Sequence, residues 1–146
     1  MQYYSYENFK NDTTTLIEQV QVFKPEAIVG IARGGLTLAH CMAEGLEIRD
    51  VQTIRTELYD GTTKREKISV FGNCSFKENI KVLVVDDIAD SGETLKAVMC
   101  ALAKSHPSVV FESCTLFYKK SSCYEPHFWI HEAKDWIDFF WERDYT

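Results

Sequence analysis

The 146-residue sequence predicts an α/β fold with a mostly parallel sheet, and three observations carry that reading. Two short apolar runs, AIVGIA (residues 27–32) and IKVLVV (residues 80–85), have the continuous β-branched character of strands covered on both faces. Each is followed by a glycine-containing turn and then by apolar residues at helical spacing. The predicted order is strand, helix, strands, strand, helix, strand, the pattern of parallel strands joined by crossover helices. In such sheets, ligands bind beyond the C-terminal ends of the strands. The turns after Ala32 and Val85 are therefore the places to look for function.

Each element has its own signal. From residue 8 to 23, Phe9, Leu16, Ile17, Val20 and Phe23 form a helical stripe, and Pro25 stops it. Residues 27–32 are the first buried strand, and Gly34-Gly35 makes the turn. Residues 36–46 repeat apolar side chains at helical spacing through Ala39, Met42, Ala43 and Leu46. Residues 51–59 are predicted as a strand, 60–67 (DGTTKREK) as a polar loop with a turn at Asp60-Gly61, and 68–71 as a short strand. After the strong strand at 80–85, residues 91–104 carry Leu95, Val98, Met99 and Leu102 on one helical face. Residues 109–118 form another strand, and 129–131 a short one. The tail from 121 to 146 holds Tyr124, Phe128, Trp129, Trp136, Phe139, Phe140, Trp141 and Tyr145. It is too irregular for a further strand–helix unit and is expected to cap the sheet.

Composition narrows the function classes. A chain of this length suits one domain and needs no disulfide or metal to hold it together. Sixteen basic against 22 acidic residues give a net charge of −6, which argues against nucleic acid or an acidic membrane as partner. No stretch approaches the roughly 20 apolar residues of a membrane span, and the polar N-terminus lacks the layout of a signal peptide. Five cysteines with no C-x-x-C pair are expected to be reduced thiols of a cytoplasmic protein.

The segment VLVVDDIADSGET (residues 82–94) carries the most chemistry. A buried strand delivers Asp86 and Asp87 side by side. Two residues later, Asp90-Ser91-Gly92-Glu93-Thr94 opens a helix. Such a loop offers free backbone N–H groups, hydroxyls and the positive end of a helix dipole to an anion. The two carboxylates would repel a phosphate unless hydroxyls or Mg²⁺ lay between, which points to a sugar phosphate with a metal. The plainer alternative is a helix cap, since Asp90 and Glu93 have N-cap and N3 spacing. It leaves the adjacent Asp86-Asp87 pair unexplained, because unpaired charge after a buried strand is costly.

That segment resembles the phosphoribosyl-pyrophosphate (PRPP) motif of the type I phosphoribosyltransferases: a hydrophobic strand, two acidic residues, two spacers, then Asp-Ser/Thr-Gly-x-Thr. GIARGGL (residues 30–36) is similar to the pyrophosphate loop of the purine enzymes. Tyr59-Asp60 and Arg65-Glu66 resemble the flexible loop of bacterial xanthine-guanine phosphoribosyltransferases. Lys119 at a strand end, with Trp136-Ile137 in the tail, is similar to the base-binding hood of the 6-oxopurine enzymes. Lys120 leaves the register of the lysine open. The chain departs from the family pattern at Glu93, where relatives have a small residue. It departs also at 139–142, where a Pro-containing stretch ending in Asp is replaced, and at Asp138, where the bacterial enzymes have Glu.

The resemblance implies a type I phosphoribosyltransferase fold: a mostly parallel twisted sheet flanked by helices, with a small hood built from the termini. It implies one domain over 1–146, with a core at about 24–120 and a hood from the N-terminal segment and 121–146. The implied reaction is transfer of the phosphoribosyl group from PRPP to N9 of a 6-oxopurine. By the same resemblance, Asp90 is the catalytic acid/base. Asp86 and Asp87 hold the ribose hydroxyls and Mg²⁺, Asp87 being the metal ligand. Ala89, Asp90, Ser91, Gly92, Glu93 and Thr94 bind the 5′-phosphate. Arg33, Gly34, Gly35 and Arg65 bind pyrophosphate, and Lys119, Trp136, Ile137 and Glu142 bind the base. Relatives are commonly dimers or tetramers, so a homo-oligomer is implied. Two alternatives stay open: a PRPP- or purine-sensing regulator of the same fold, or an enzyme for another base.

Other motifs fail on inspection. Gly30-x-x-x-x-Gly35 is followed by Leu-Thr, without the lysine of a nucleotide-hydrolysing loop. A receiver domain would need more chain after Asp86. His127 and His131 lack the Glu of a zinc protease helix, and His40 and His106 carry no signal.

Overall fold

The computed structural model describes residues 1–60 and 66–146. In chain order the elements are β1 (Gln2–Tyr4), α1 (Tyr6–Val20), β2 (Ala27–Ala32), α2 (Leu36–Leu46), β3 (Val51–Asp60), β4 (Glu66–Phe71) and β5 (Lys81–Val85). They continue with β6 (Ile88–Ala89), α3 (Glu93–Ser105), β7 (Val110–Tyr118), β8 (Phe128–Glu132), β9 (Ile137–Phe139) and α4 (Phe140–Arg143).

The large sheet runs β4-β3-β2-β5-β7, with β6 and β8 also paired to β7. All pairs are parallel except β3 with β4, which form an antiparallel hairpin. Strands β5 and β6 both pair with β7, at Val85↔Cys114 and Ile88↔Phe117. They are one strand line interrupted at Asp86-Asp87. The interruption is a bulge, where the N–H groups of both Leu116 and Phe117 donate to the single carbonyl of Asp87.

Strand burial explains the apolar runs. Along β2, Ala27, Val29 and Ile31 pack with α3, while Ile28 packs with α1 and α2 on the other face. Along β5, Val82 and Val84 join the α3 side, and Leu83 and Val85 the opposite side. Both faces are covered from Ala27 to Ile31 and from Val82 to Val85, and every residue in those stretches is apolar; Lys81, at the start of β5, is exposed. Each fully buried Leu here, such as Leu16, Leu38 or Leu83, contributes about 1.5–3 kcal/mol of burial.

The two crossovers diverge from the sheet's centre. Helix α2 carries the chain from β2 outward to β3, and α3 carries it from β6 to β7 on the other side. Strands β2 and β5 are neighbours, with Gly30 opposite Val85. Their C-terminal ends therefore open side by side at the point where the strand order reverses, which is the crevice of an open α/β sheet.

Several boundaries differ from expectation. Helix α1 starts earlier, because Ser5 caps it by accepting from the Asn8 N–H at 3.1 Å, and it ends at Val20, before Pro25. Residues 60 and 66–67, expected in a polar loop, extend the hairpin strands. The tail is more regular than its sequence suggests. Strand β8 adds to the large sheet beside β7. Strand β9 pairs in parallel with β1, Gln2 opposite Ile137, in a separate two-stranded sheet. That pairing joins the two ends of the chain, which no local pattern can reveal. No helix is long and apolar enough among the described residues to cross a membrane.

Candidate active site

The crevice is built on contact between its two loops. A Cβ on Gly34 would lie 2.5 Å from Asp87 Oδ2, and one on Gly35 would lie 2.4 Å from the Val85 carbonyl oxygen. Only glycines let the β2–α2 loop close against the acidic pair. Gly34 thus approaches the Asp87 carboxylate, and Gly35 the backbone of Val85 and Asp86. The Ala32–Arg33 peptide is cis. Arg33 lies exposed on this loop and forms no ion pair among the described residues. Arg65 lies outside the described residues.

Asp87 is 7% exposed, and Asp86 is half-buried. Their fixed partners are backbone amides. Asp86 Oδ1 accepts from the Asp87 N–H at 2.9 Å, and Asp87 Oδ1 from the Ile88 N–H at 2.8 Å. Neither carboxylate is in an ion pair among the described residues. Burial, and then the charge of Asp87, push the Asp86 carboxyl well above its ordinary value. Burial also raises Asp87, and the charge of Glu142 adds to the rise although the amide hydrogen bonds oppose it. Ionising both carboxyls here is costly, and a cation or hydroxyl donors beside them would favour the charged form. Among the described residues no three His, Cys, Asp or Glu side chains converge to enclose a metal. A hard divalent ion fits here if a ligand supplies most of its oxygens.

Two cavities share Asp87, Ile88 and Asp90. The smaller, about 220 Å³, runs along the turn into α3 and is lined by Ala89, Ser91, Gly92 and Thr94. Gly92, φ +84°, stands at the N-cap of helix α3, which has no side-chain cap. The capping alternative for Asp90 and Glu93 is therefore not what the chain does. Ser91 Oγ accepts from the Glu93 N–H at 3.3 Å, and Glu93 itself does not line this cavity. The result is a backbone-lined recess at a helix N-terminus.

The larger cavity, about 370 Å³, lies between the end of β7 and the tail. Lys119, Lys134, Trp136, Ile137 and Glu142 line it. Lys119 Nζ reaches Asp90 Oδ1 at 3.5 Å across its mouth, whereas Lys120 turns away to Glu132 at 3.7 Å. Of the two lysines, Lys119 lines this cavity and Lys120 does not. Trp136 is 65% exposed, so its indole is a free face and no part of the core. The Gln2 N–H donates to the Trp136 carbonyl. In a parallel pair this turns the backbone groups of Ile137 to the opposite edge of β9. Asp138 is held by Arg143, while Glu142 faces the cavity. Lys134 was not foreseen, since a lone lysine in an aromatic tail carries no local signal.

Comparison with known proteins agrees with this arrangement. The phosphoribosyl transferase domain model matches residues 2–145. A xanthine-guanine phosphoribosyltransferase of Idiomarina loihiensis is 30% identical over 120 residues, covering 80% of this chain and 71% of the relative. The Helicobacter pylori xanthine-guanine-hypoxanthine phosphoribosyltransferase superimposes with a TM-score of 0.91 at 39% identity, covering 99% of this chain and 95% of that one. A purine phosphoribosyltransferase from Pyrococcus horikoshii gives a TM-score of 0.87 at 26% identity, covering 96% and 92%.

Proposed function

The chain belongs to the phosphoribosyl transferase family and is a purine phosphoribosyltransferase, and from that premise we propose that it transfers the 5-phosphoribosyl group of PRPP to N9 of guanine, xanthine or hypoxanthine, releasing pyrophosphate in purine salvage. The observation that carries this is the pair of cavities meeting at Asp87 and Asp90. One has the amides and hydroxyls a phosphate needs. The other has an aromatic face and a cation. The bond to be made, between C1′ and N9, falls at their border.

The residues divide the work as follows. The N–H groups of the 90–94 turn, with the Ser91 and Thr94 hydroxyls, receive the 5′-phosphate. The ribose hydroxyls donate to Asp86 and Asp87. Trp136 stacks on the purine, a contact any purine face accepts. Lys119 donates to O6, which favours a 6-oxo over a 6-amino ring, and the free backbone groups of Ile137 meet the ring's edge. Glu142 lies close enough to the acidic pair to act on the same ligands. Asp90, paired with Lys119, is in reach of the neighbouring N7. It serves as acid/base there as N9 becomes the nucleophile. Arg33 and the glycine loop meet the leaving pyrophosphate. Asp87, with Asp86, would hold Mg²⁺, which supplies positive charge to the departing phosphate oxygens. Catalysis is positioning and charge, since the ribosyl transition state is cationic and loosely bonded.

The free thiols Cys41, Cys74, Cys100, Cys114 and Cys123 support a reducing, cytoplasmic setting. We read residues 1–146 as one functional unit, working as a dimer or tetramer. The test is one assay: PRPP and Mg²⁺ with guanine, xanthine, hypoxanthine, adenine or uracil, measuring pyrophosphate. Release with the 6-oxopurines is expected. Release only with adenine or uracil overturns the Lys119–Trp136 assignment, and none with any base favours a sensor.

A further inference from the structure

Behind the turn into α3 lies a segment that no motif marks. The Ser122 N–H donates to the Lys119 carbonyl at 2.8 Å and closes a tight turn. From this turn, donors reach the carbonyl oxygens of three successive residues. The Lys119 N–H binds the Ala89 carbonyl at 3.0 Å. The Ser122 hydroxyl binds the same oxygen at 2.6 Å and also touches the carbonyl oxygen of Asp90. The Cys123 N–H binds the Ser91 carbonyl at 2.8 Å. The contact is close enough that a Cβ on Gly92 would lie 2.8 Å from the Tyr124 nitrogen.

A trans peptide points its C=O and its N–H in opposite directions. Holding the carbonyls of residues 89, 90 and 91 from behind therefore turns the N–H groups of Asp90, Ser91 and Gly92 forward, toward the cavity those residues line. None of these three N–H groups takes another partner among the described residues. Lys119 and Cys123 make their bonds through the backbone. Ser122 is the one member of the brace that acts through its side chain.

We propose that Ser122 is a positioning residue for the phosphate end of the substrate: its hydroxyl holds back the Ala89 and Asp90 carbonyls and so presets the amide donors that receive the phosphate. This rests on the reading of the 90–94 turn as the 5′-phosphate site. Without the hydroxyl, the peptide planes lose a fixed orientation, and a carbonyl that swings forward repels the phosphate. Donors fixed in advance need no reorganisation when the ligand arrives.

The test compares ligands that differ only in the phosphate. Loss of one hydrogen bond in the brace, at about 1–1.5 kcal/mol, corresponds to roughly tenfold in affinity. Ser122→Ala is expected to weaken guanosine 5′-monophosphate about tenfold and to leave guanosine unchanged. It should raise KM for PRPP to the same extent and leave KM for guanine alone. Ser122→Thr restores both. Ser122→Cys keeps the size with a poor donor and reproduces the loss at an unchanged Tm. A purely structural role would weaken both ligands together. Phosphate-selective binding intact in Ser122→Ala, equal loss for both ligands, or failure of Ser122→Thr to rescue overturns the proposal alone. A wild-type protein that binds the monophosphate no better than the nucleoside overturns the phosphate-site reading as well.

Discussion

The two cavities that meet at Asp87 and Asp90 are built from different materials. The 220 Å³ recess is made of one contiguous segment, 86–95, and its donors are mostly backbone. The 370 Å³ cavity is made of side chains from a bulge, a strand end and a tail strand that is held by the first residues of the chain. The first is fixed by hydrogen bonds at its back, and the second by how the tail docks. Substitution should therefore act differently in the two. In the recess, the phosphate donors depend chiefly on how the backbone is turned, and the side chains of Asp86, Asp87 and Asp90 act on what lies beside the phosphate. In the larger cavity each side chain has its own separable effect.

Asp90 belongs to both cavities, and its substitution has the largest expected effect. Asp90→Asn keeps the size and the backbone but removes the proton acceptor. Turnover should fall about 10²–10⁴-fold, the range of a lost general acid or base, while KM for PRPP changes less than threefold. Equal losses in kcat and in PRPP affinity would assign Asp90 to the phosphate recess alone and erase the border between the two regions.

Lys119 tests the larger cavity by itself. Lys119→Met keeps the stem and removes the donor. Activity with guanine or hypoxanthine should fall about 10–100-fold, and the preference over adenine should shrink by a similar factor. Lys120→Met, whose ammonium faces Glu132, should change neither by more than twofold. Next in size is Trp136→Ala. Its exposed indole holds up nothing in the core, so Tm should stay within about 1 °C while KM for the base rises roughly tenfold. Measured together, steady-state kinetics and thermal melts show whether the base cavity can be altered without touching PRPP binding.

The same contrast explains what could be read from the sequence. The recess was legible because strand, acidic pair and turn follow one another without interruption, and backbone chemistry leaves a local pattern. Lys119, Trp136 and Ile137 were reached only through the resemblance, since nothing in their local sequence ties them together. The Lys119–Lys120 register required the fold, because only the end of β7 decides which ammonium turns inward. Ser122 and Lys134 left no trace. A serine that bonds carbonyls 32 and 33 residues away, and a lysine that lines a cavity, look like surface residues until the chain is folded. The β1–β9 pairing was illegible for the same reason, being a contact of 135 residues' separation between Gln2 and Ile137.

The smallest effect concerns the acidic pair without its ligands. Burial raises the Asp87 carboxyl from an ordinary 3.8 to about 6, with the charge of Glu142 adding, and burial and the charge of Asp87 push Asp86 well above its ordinary value. A raised carboxyl binds its proton more tightly in the folded chain than in the unfolded one. Between about pH 4 and 6 the folded state therefore holds more protons, and the stability this group contributes is present at the acid end and lost as pH rises. Most carboxylates act in the opposite direction. The ligand-free protein should lose on the order of 5 °C in Tm between pH 4.5 and 7 relative to Asp87→Asn, which cannot titrate and keeps the acceptor for the Ile88 N–H. Adding PRPP with Mg²⁺ should close that gap, because a cation and hydroxyl donors favour the ionised pair. Parallel pH curves for wild type and Asp87→Asn would mean that the pair's charge is balanced within the protein. The acidic bulge would then be a structural feature of the sheet, with no stored demand for a ligand.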